Sequence, residues 1–71
     1  MIDKYTLVAY RSAISNAKKR AKNQAGFLKK IGMTEEQAIK PIVIDYFTGI
    51  RCKFNHEAFD QAMKDIKEAQ Q

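Results

Sequence analysis

Apolar residues recur at steps of three and four along the first part of the chain, which is the spacing of one side of a helix. This spacing predicts a helix from residue 3 to about residue 31. Because the polar Gln24 interrupts the series and Gly26 is a weak helix former, a long helix followed by a short one is a second interpretation. The apolar side consists of Leu7, Tyr10, Ile14, Ala17, Ala21, Leu28 and Ile31.

The segment from Thr34 to Gln37 reads Thr-Glu-Glu-Gln, which is the sequence of a capping box. In this motif the threonine and glutamine side chains satisfy backbone groups at the start of a helix. A second helix is therefore predicted from this point. Pro41 lies within it and predicts a kink or a restart, because proline removes a backbone donor and clashes with the preceding turn. Gly49 fits the end of this helix.

A short hairpin over residues 42–54 is the alternative for this region. The stretch is rich in β-branched and aromatic side chains, and from Ile50 to Phe54 apolar and charged residues alternate with the period of a strand. The capping box directly upstream favours a helix over residues 41–48 instead. For residues 50–54, which follow this helix, we expect an extended connector.

Asn55 is a good cap for a last helix that runs to about residue 69, with Ala58, Phe59, Ala62, Met63 and Ile66 on one side. The pattern as a whole predicts an all-α fold over residues 1–71. This is a small three-helix domain with a long basic N-terminal helix, a proline-kinked middle helix and a C-terminal helix. The predicted core consists of Leu7, Tyr10, Ile14, Ala17, Ala21, Leu28, Ile31, Ile39, Val43, Phe47, Phe59, Met63 and Ile66.

Positive charge is concentrated in the first half of the chain. Residues 1–33 hold eight bases and one acid, whereas residues 34–71 hold five bases and seven acids. After Asp3 the next acid is Glu35. A segment of one charge sign usually meets a polyanion or an acidic surface.

Most of these bases fall on one side of the first helix. Each residue turns a helix by about 100°. By this measure the bases form a stripe directly beside the apolar side, with two lysines behind it. The predicted residues for binding nucleic-acid phosphates or an acidic protein surface are Lys4, Arg11, Lys18, Lys19, Lys22, Lys29 and Lys30.

Two functions follow from this stripe. The first is a non-enzymatic nucleic-acid-binding accessory or regulatory protein, in which the stripe contacts phosphates. The second is a small inhibitor or adaptor that docks its basic helix on an acidic protein. A homodimer through the apolar side of the first helix is a further alternative. The small size and basic charge are also compatible with a regulatory protein from a mobile element.

Residues 27–38 have the layout of a helix-turn-helix corner, with a short apolar helix, a glycine at the turn and a threonine-capped helix. The second helix of this corner begins with Glu35 and Glu36, which repel phosphate, and offers only Lys40 for contact with bases. We therefore expect the first helix to make any nucleic-acid contact.

Residues suited to catalysis or metal binding are few. His56 is the only histidine and Cys52 the only cysteine, and a metal site needs several such ligands at suitable spacing. Cys52 shares the alternating pattern of Ile50 and Phe54, so we expect it to be buried and inert. The sequence predicts no enzyme activity, no metal and no cofactor.

The chain shows no signal-peptide pattern at its N-terminus. Its longest apolar run, residues 41–44, is far shorter than the ~20 residues that span a membrane. A single cysteine excludes an intramolecular disulfide. These features predict a cytoplasmic protein without a membrane partner.

Overall fold

The computed structural model describes residues 2–69 and folds them into four helices. The helices are α1 (Lys4–Asn23), α2 (Ala25–Lys30), α3 (Glu35–Gly49) and α4 (His56–Ala69). No strand occurs in this part of the chain, so the all-α prediction is confirmed. The hairpin alternative for residues 42–54 is wrong, because the helix that starts at the capping box continues to Gly49.

The first two long helices begin at polar caps. The Asp3 carboxylate accepts the Thr6 backbone N–H at 2.9 Å, and this hydrogen bond keeps the pKa of Asp3 below its usual value. At α3 both bonds of the capping box are present, since Thr34 Oγ1 accepts the Gln37 N–H at 3.1 Å and Gln37 Oε1 accepts the Thr34 N–H at 3.0 Å. α3 continues through Pro41 without ending or restarting.

The predicted first helix is divided in two at Gln24. The backbone of this residue leaves the helical range, with φ −104° and ψ 15°. Its N–H still donates to the carbonyl oxygens of Arg20 and Ala21 at 3.1 Å, so the division is a bend rather than a loop. Lys29 and Lys30 consequently belong to a separate short helix. The part of the basic stripe on α1, from Lys4 to Lys22, spans about 27 Å at a rise of 1.5 Å per residue.

α1 forms one layer, and α3 and α4 pack against it side by side. Within the described residues no Cα atom of α3 lies within 8 Å of one in α4, so α1 connects the two. The molecule measures 39 × 33 × 15 Å, which is about two layers of helix. Six of its core residues are alanines, which allow the helices to approach closely: Ala13, Ala17, Ala21, Ala38, Ala58 and Ala62.

Tyr10 is the central contact between the layers. Its ring is 4 % exposed and stacks on Phe47 with 4.3 Å between ring centroids. Its hydroxyl oxygen accepts the Asn55 backbone N–H at 2.7 Å. The Asn55 side chain in turn accepts the Ala58 N–H at 3.0 Å, which confirms Asn55 as the cap of α4. One side chain of α1 therefore holds both the end of α3 and the start of α4.

Two predictions of burial, those for Ile31 and Cys52, are wrong. Ile31 is 57 % exposed, because the bend at Gln24 changes the helical phase of the residues that follow. Cys52 is exposed because the backbone reverses just before it and breaks the predicted alternation.

The chain leaves α2 and α3 through the same type of turn. After α2, the Met33 N–H donates to Leu28 O and the Gly32 N–H to Lys29 O. This pair of bonds is a Schellman motif, which needs a left-handed residue, and Gly32 supplies it with φ +72°. After α3 the corresponding residue is Arg51, with φ +60°, where a side chain is strained.

Arg51→Gly is expected to raise the free energy of unfolding by up to about 1 kcal/mol, because glycine adopts the left-handed conformation without strain. Gly32→Ala is expected to lower it by about 1 kcal/mol for the converse reason. Urea denaturation of both variants measures these changes.

Gly26 provides the control for this pair. It lies within α2, and a Cβ atom placed there meets nothing within 4 Å, so Gly26→Ala should raise the free energy of unfolding by up to about 1 kcal/mol. If Gly32→Ala stabilises the protein as Gly26→Ala does, the assignment of this turn is wrong.

Tyr10→Phe keeps the stacked ring and removes only the hydrogen bond to Asn55. We expect the free energy of unfolding to fall by about 1 kcal/mol. Tyr5 is 85 % exposed, so Tyr5→Phe is the matched control and should leave the stability unchanged. Equal stability of both variants in urea would show that the Tyr10 hydrogen bond contributes nothing.

Candidate nucleic-acid interface

α1 buries only one side against α3 and α4, and its opposite side faces solvent. This exposed side lies about 100° to 180° from Ile14 on the helical wheel. It contains three short polar residues, a lysine, a tyrosine and a valine, and no acid. We call it the outer face of α1, and it consists of Tyr5, Val8, Ser12, Ser15, Lys19 and Asn23, all of which are exposed.

The predicted basic stripe does not form one continuous surface. Six of its seven residues are exposed and Lys18 is half-buried. Lys4 and Arg11 flank the first half of the outer face, and Lys19 is part of the outer face itself. Lys29 and Lys30 lie beyond the bend, on α2. Lys18 and Lys22 face other helices of the same molecule.

Lys18 and Lys22 line a cleft with two acids, Glu35 and Glu36, at the start of α3. The floor of this cleft is apolar and comes from α3 and α4. Glu36 Oε1 lies 2.8 Å from Lys67 Nζ of α4. The hydrogen bond from Lys67, its charge and, to a smaller extent, the charge of Lys18 lower the pKa of Glu36.

The sequence pattern did not indicate that acids lie beside Lys18 and Lys22, because these bases and acids are far apart along the chain. The prediction of a basic stripe depended on the assumption that a segment without acids also forms a surface without acids. The fold places the acidic start of α3 beside the middle of the stripe. The only signal in the sequence was the opposite net charge of the two halves.

A second groove runs between α1 and the last two turns of α3 and holds about 320 Å³. Small residues of α1, including Ala9, Ala13 and Asn16, form one side of this α1–α3 groove. Tyr46 and Ile50 form the other side, and each is 54 % exposed. The predicted core includes Phe47 but not Tyr46, and the sequence pattern gave no indication of this groove.

Residues with catalytic potential do not come together in the described chain. The His56 ring packs edge-on against Phe54, with 4.8 Å between centroids, and Cys52 lines the α1–α3 groove. Over residues 2–69, no three His, Cys, Asp or Glu side chains are grouped so as to hold a metal ion. No helix in this range has the length and apolar character to cross a membrane.

Lys67→Met is expected to lower the melting temperature slightly near neutral pH and to flatten its fall in acid. Because the pKa of Glu36 is lowered in the folded protein, the ion pair stabilises folding above the ordinary pKa of 4.5. This contribution disappears as the pH falls through the lowered pKa. The effect is small, since both side chains are exposed.

Thermal unfolding at a series of pH values measures this difference. Lys64→Met removes an exposed lysine from the same helix and is the control. If both variants show the same dependence on pH, the ion pair does not contribute to stability.

Comparison with known proteins adds no assignment to this geometry. No protein-family model, curated protein or solved structure matches the chain.

Proposed function

We propose that the protein is a small non-enzymatic nucleic-acid-binding protein of the cytoplasm, with an accessory or regulatory role. The bases of α1 and α2 contact the phosphates. The observation that supports this most strongly is that neither helix contains an acid, although together they contain eight bases. Self-repulsion in such a segment is relieved when a polyanion binds.

The outer face of α1 is the best surface for this contact. Lys18 and Lys22 share their cleft with Glu35 and Glu36, so they attract a phosphate less strongly than bases without acidic neighbours. Lys19 projects from the second half of the outer face, between the short polar side chains of Ser15 and Asn23. Serine and asparagine allow a phosphate to approach closely and can donate hydrogen bonds to it.

Binding of this kind depends strongly on salt. Each phosphate that a base neutralises releases condensed counterions, so affinity falls steeply as the salt concentration rises. These contacts are made to phosphates and do not distinguish one base sequence from another. We therefore expect an affinity for nucleic acid that is independent of sequence and high at low salt.

An inhibitor or adaptor that docks on an acidic protein is the second candidate. Phe27 and Ile31 of α2 are 60 % and 57 % exposed, and they lie beside Lys29 and Lys30. Apolar side chains next to bases are typical of a surface that meets an acidic protein. A pull-down with and without nuclease separates the candidates, because only a protein complex survives the nuclease.

The double variant Arg11→Glu/Lys19→Glu is expected to bind nucleic acid at least about tenfold more weakly at low salt, because it reverses charge on and beside the outer face. Fluorescence anisotropy with a labelled duplex and a labelled single strand, each at two salt concentrations, measures the change.

The control is Lys40→Glu/Lys64→Glu, which makes the same change in net charge on α3 and α4. It should reduce affinity much less. The proposal fails if the unmodified protein does not bind at low salt, or if the two double variants lose equal affinity.

A further inference from the structure

We propose that the α1–α3 groove binds unpaired bases, so that the ligand is a single nucleic-acid strand. This inference rests on the proposed function, since the bases of α1 would hold the phosphates of that strand. It adds a site for the nucleobases and excludes the intact duplex as the preferred ligand.

The exposed ring of Tyr46 packs against a buried aromatic neighbour. It meets Phe47 edge-on, with 5.1 Å between centroids and 77° between ring planes. Phe47 stacks on Tyr10 at 4.3 Å, and Tyr10 is almost fully buried. An aromatic side chain that is already ordered loses little conformational entropy when a base stacks on it.

The opposite side of the groove leaves room for a flat ring. Ala9 and Ala13 place only methyl groups there, and Ile50 closes the end of the α3 side with an apolar surface. A nucleobase has two apolar faces and a polar edge. In the inferred complex its faces lie against Tyr46 and the alanines, and its edge lies at the polar residues of α1.

Ser12 and Asn16 line the groove on the side where it meets the outer face of α1. Their side chains can donate to and accept from the edge of a base. A strand that follows the outer face would keep its phosphates near Lys19 and turn its bases over this border into the groove. α1 would thus contact both the phosphate and the base of a nucleotide.

The charges around the groove agree with an anionic strand. Arg20 lines the groove and no acid does. The adjoining hollow is lined by one acid, Asp45, together with Arg20. Charge complementarity therefore favours a phosphate-bearing ligand over a second copy of this chain, since each copy carries a net charge of +5.

A duplex cannot use this site. Its bases are stacked on each other and present only their edges in the grooves of the double helix. The faces that would lie against Tyr46 become free only in a single strand. Stacking of unpaired bases on aromatic side chains is the usual way in which proteins bind such strands.

The decisive experiment compares an oligothymidine strand with an abasic strand of the same length, which carries the same phosphates without bases. Fluorescence anisotropy at low salt should show at least about fivefold tighter binding of the strand with bases, because stacking adds to the phosphate contacts. An oligouridine strand and a duplex of equal length complete the series and distinguish RNA, DNA and paired bases.

Tyr46→Ala should weaken binding of the oligothymidine strand about tenfold and leave the abasic strand unaffected. Tyr46→Phe keeps the ring and should bind normally. Phe27→Ala removes a similarly exposed ring on α2 and is the matched control. Circular dichroism and the melting temperature establish that each variant is folded.

The failures of the two proposals are distinguishable. Equal binding of the strands with and without bases overturns the groove inference and leaves the phosphate contact intact. Absence of binding to any of the nucleic acids overturns the proposed function, and with it this inference. A dimer that sedimentation detects and that Tyr46→Ala dissociates would assign the groove to a second copy and overturn the inference.

Discussion

The burial of one alanine-rich side of α1 determines the rest of this structure. The backbones of α3 and α4 stay more than 8 Å apart, measured between Cα atoms of the described residues, so both helices pack closely on α1 and not on each other. The contact residues there are small except for Tyr10 and Ile14, which are 4 % and 0 % exposed. Close packing of two helices on one side leaves the other side of α1 without a partner among residues 2–69. The exposed outer face is thus a direct result of how the core is made.

Local chemistry was sufficient to predict the helices, because caps and apolar spacing act over a few residues. Thr34, Gln37 and Asn55 cap helices as their sequence positions indicate. The candidate surfaces depend on how helices are rotated against each other, which spacing does not specify. Phe47 was predicted to be buried and is, stacked on Tyr10, whereas the exposed position of Tyr46 beside α1 follows only from how α3 is rotated against α1.

Charge shows the same limit in another form. The charge imbalance between the two halves of the chain is visible in the sequence. How strongly it attracts a partner depends on the distances between the bases and the acids in the folded protein. Glu36 is attracted both by Lys67 of α4 and by Lys18 of α1, so part of the positive charge acts within the molecule. The surface left for an external polyanion is smaller than a count of bases suggests, and it lies further from α3.

The position of Cys52 has a practical consequence. It is the only cysteine in the chain, it is exposed, and it lines the α1–α3 groove. A thiol reagent therefore modifies this protein at a single point inside that groove, without any engineered residue. The rate of that reaction reports how accessible the groove is, and a fluorophore attached there is a local probe of whatever enters it. Oxidation of this exposed thiol forms a disulfide between two copies, so the chain is best kept under reducing conditions.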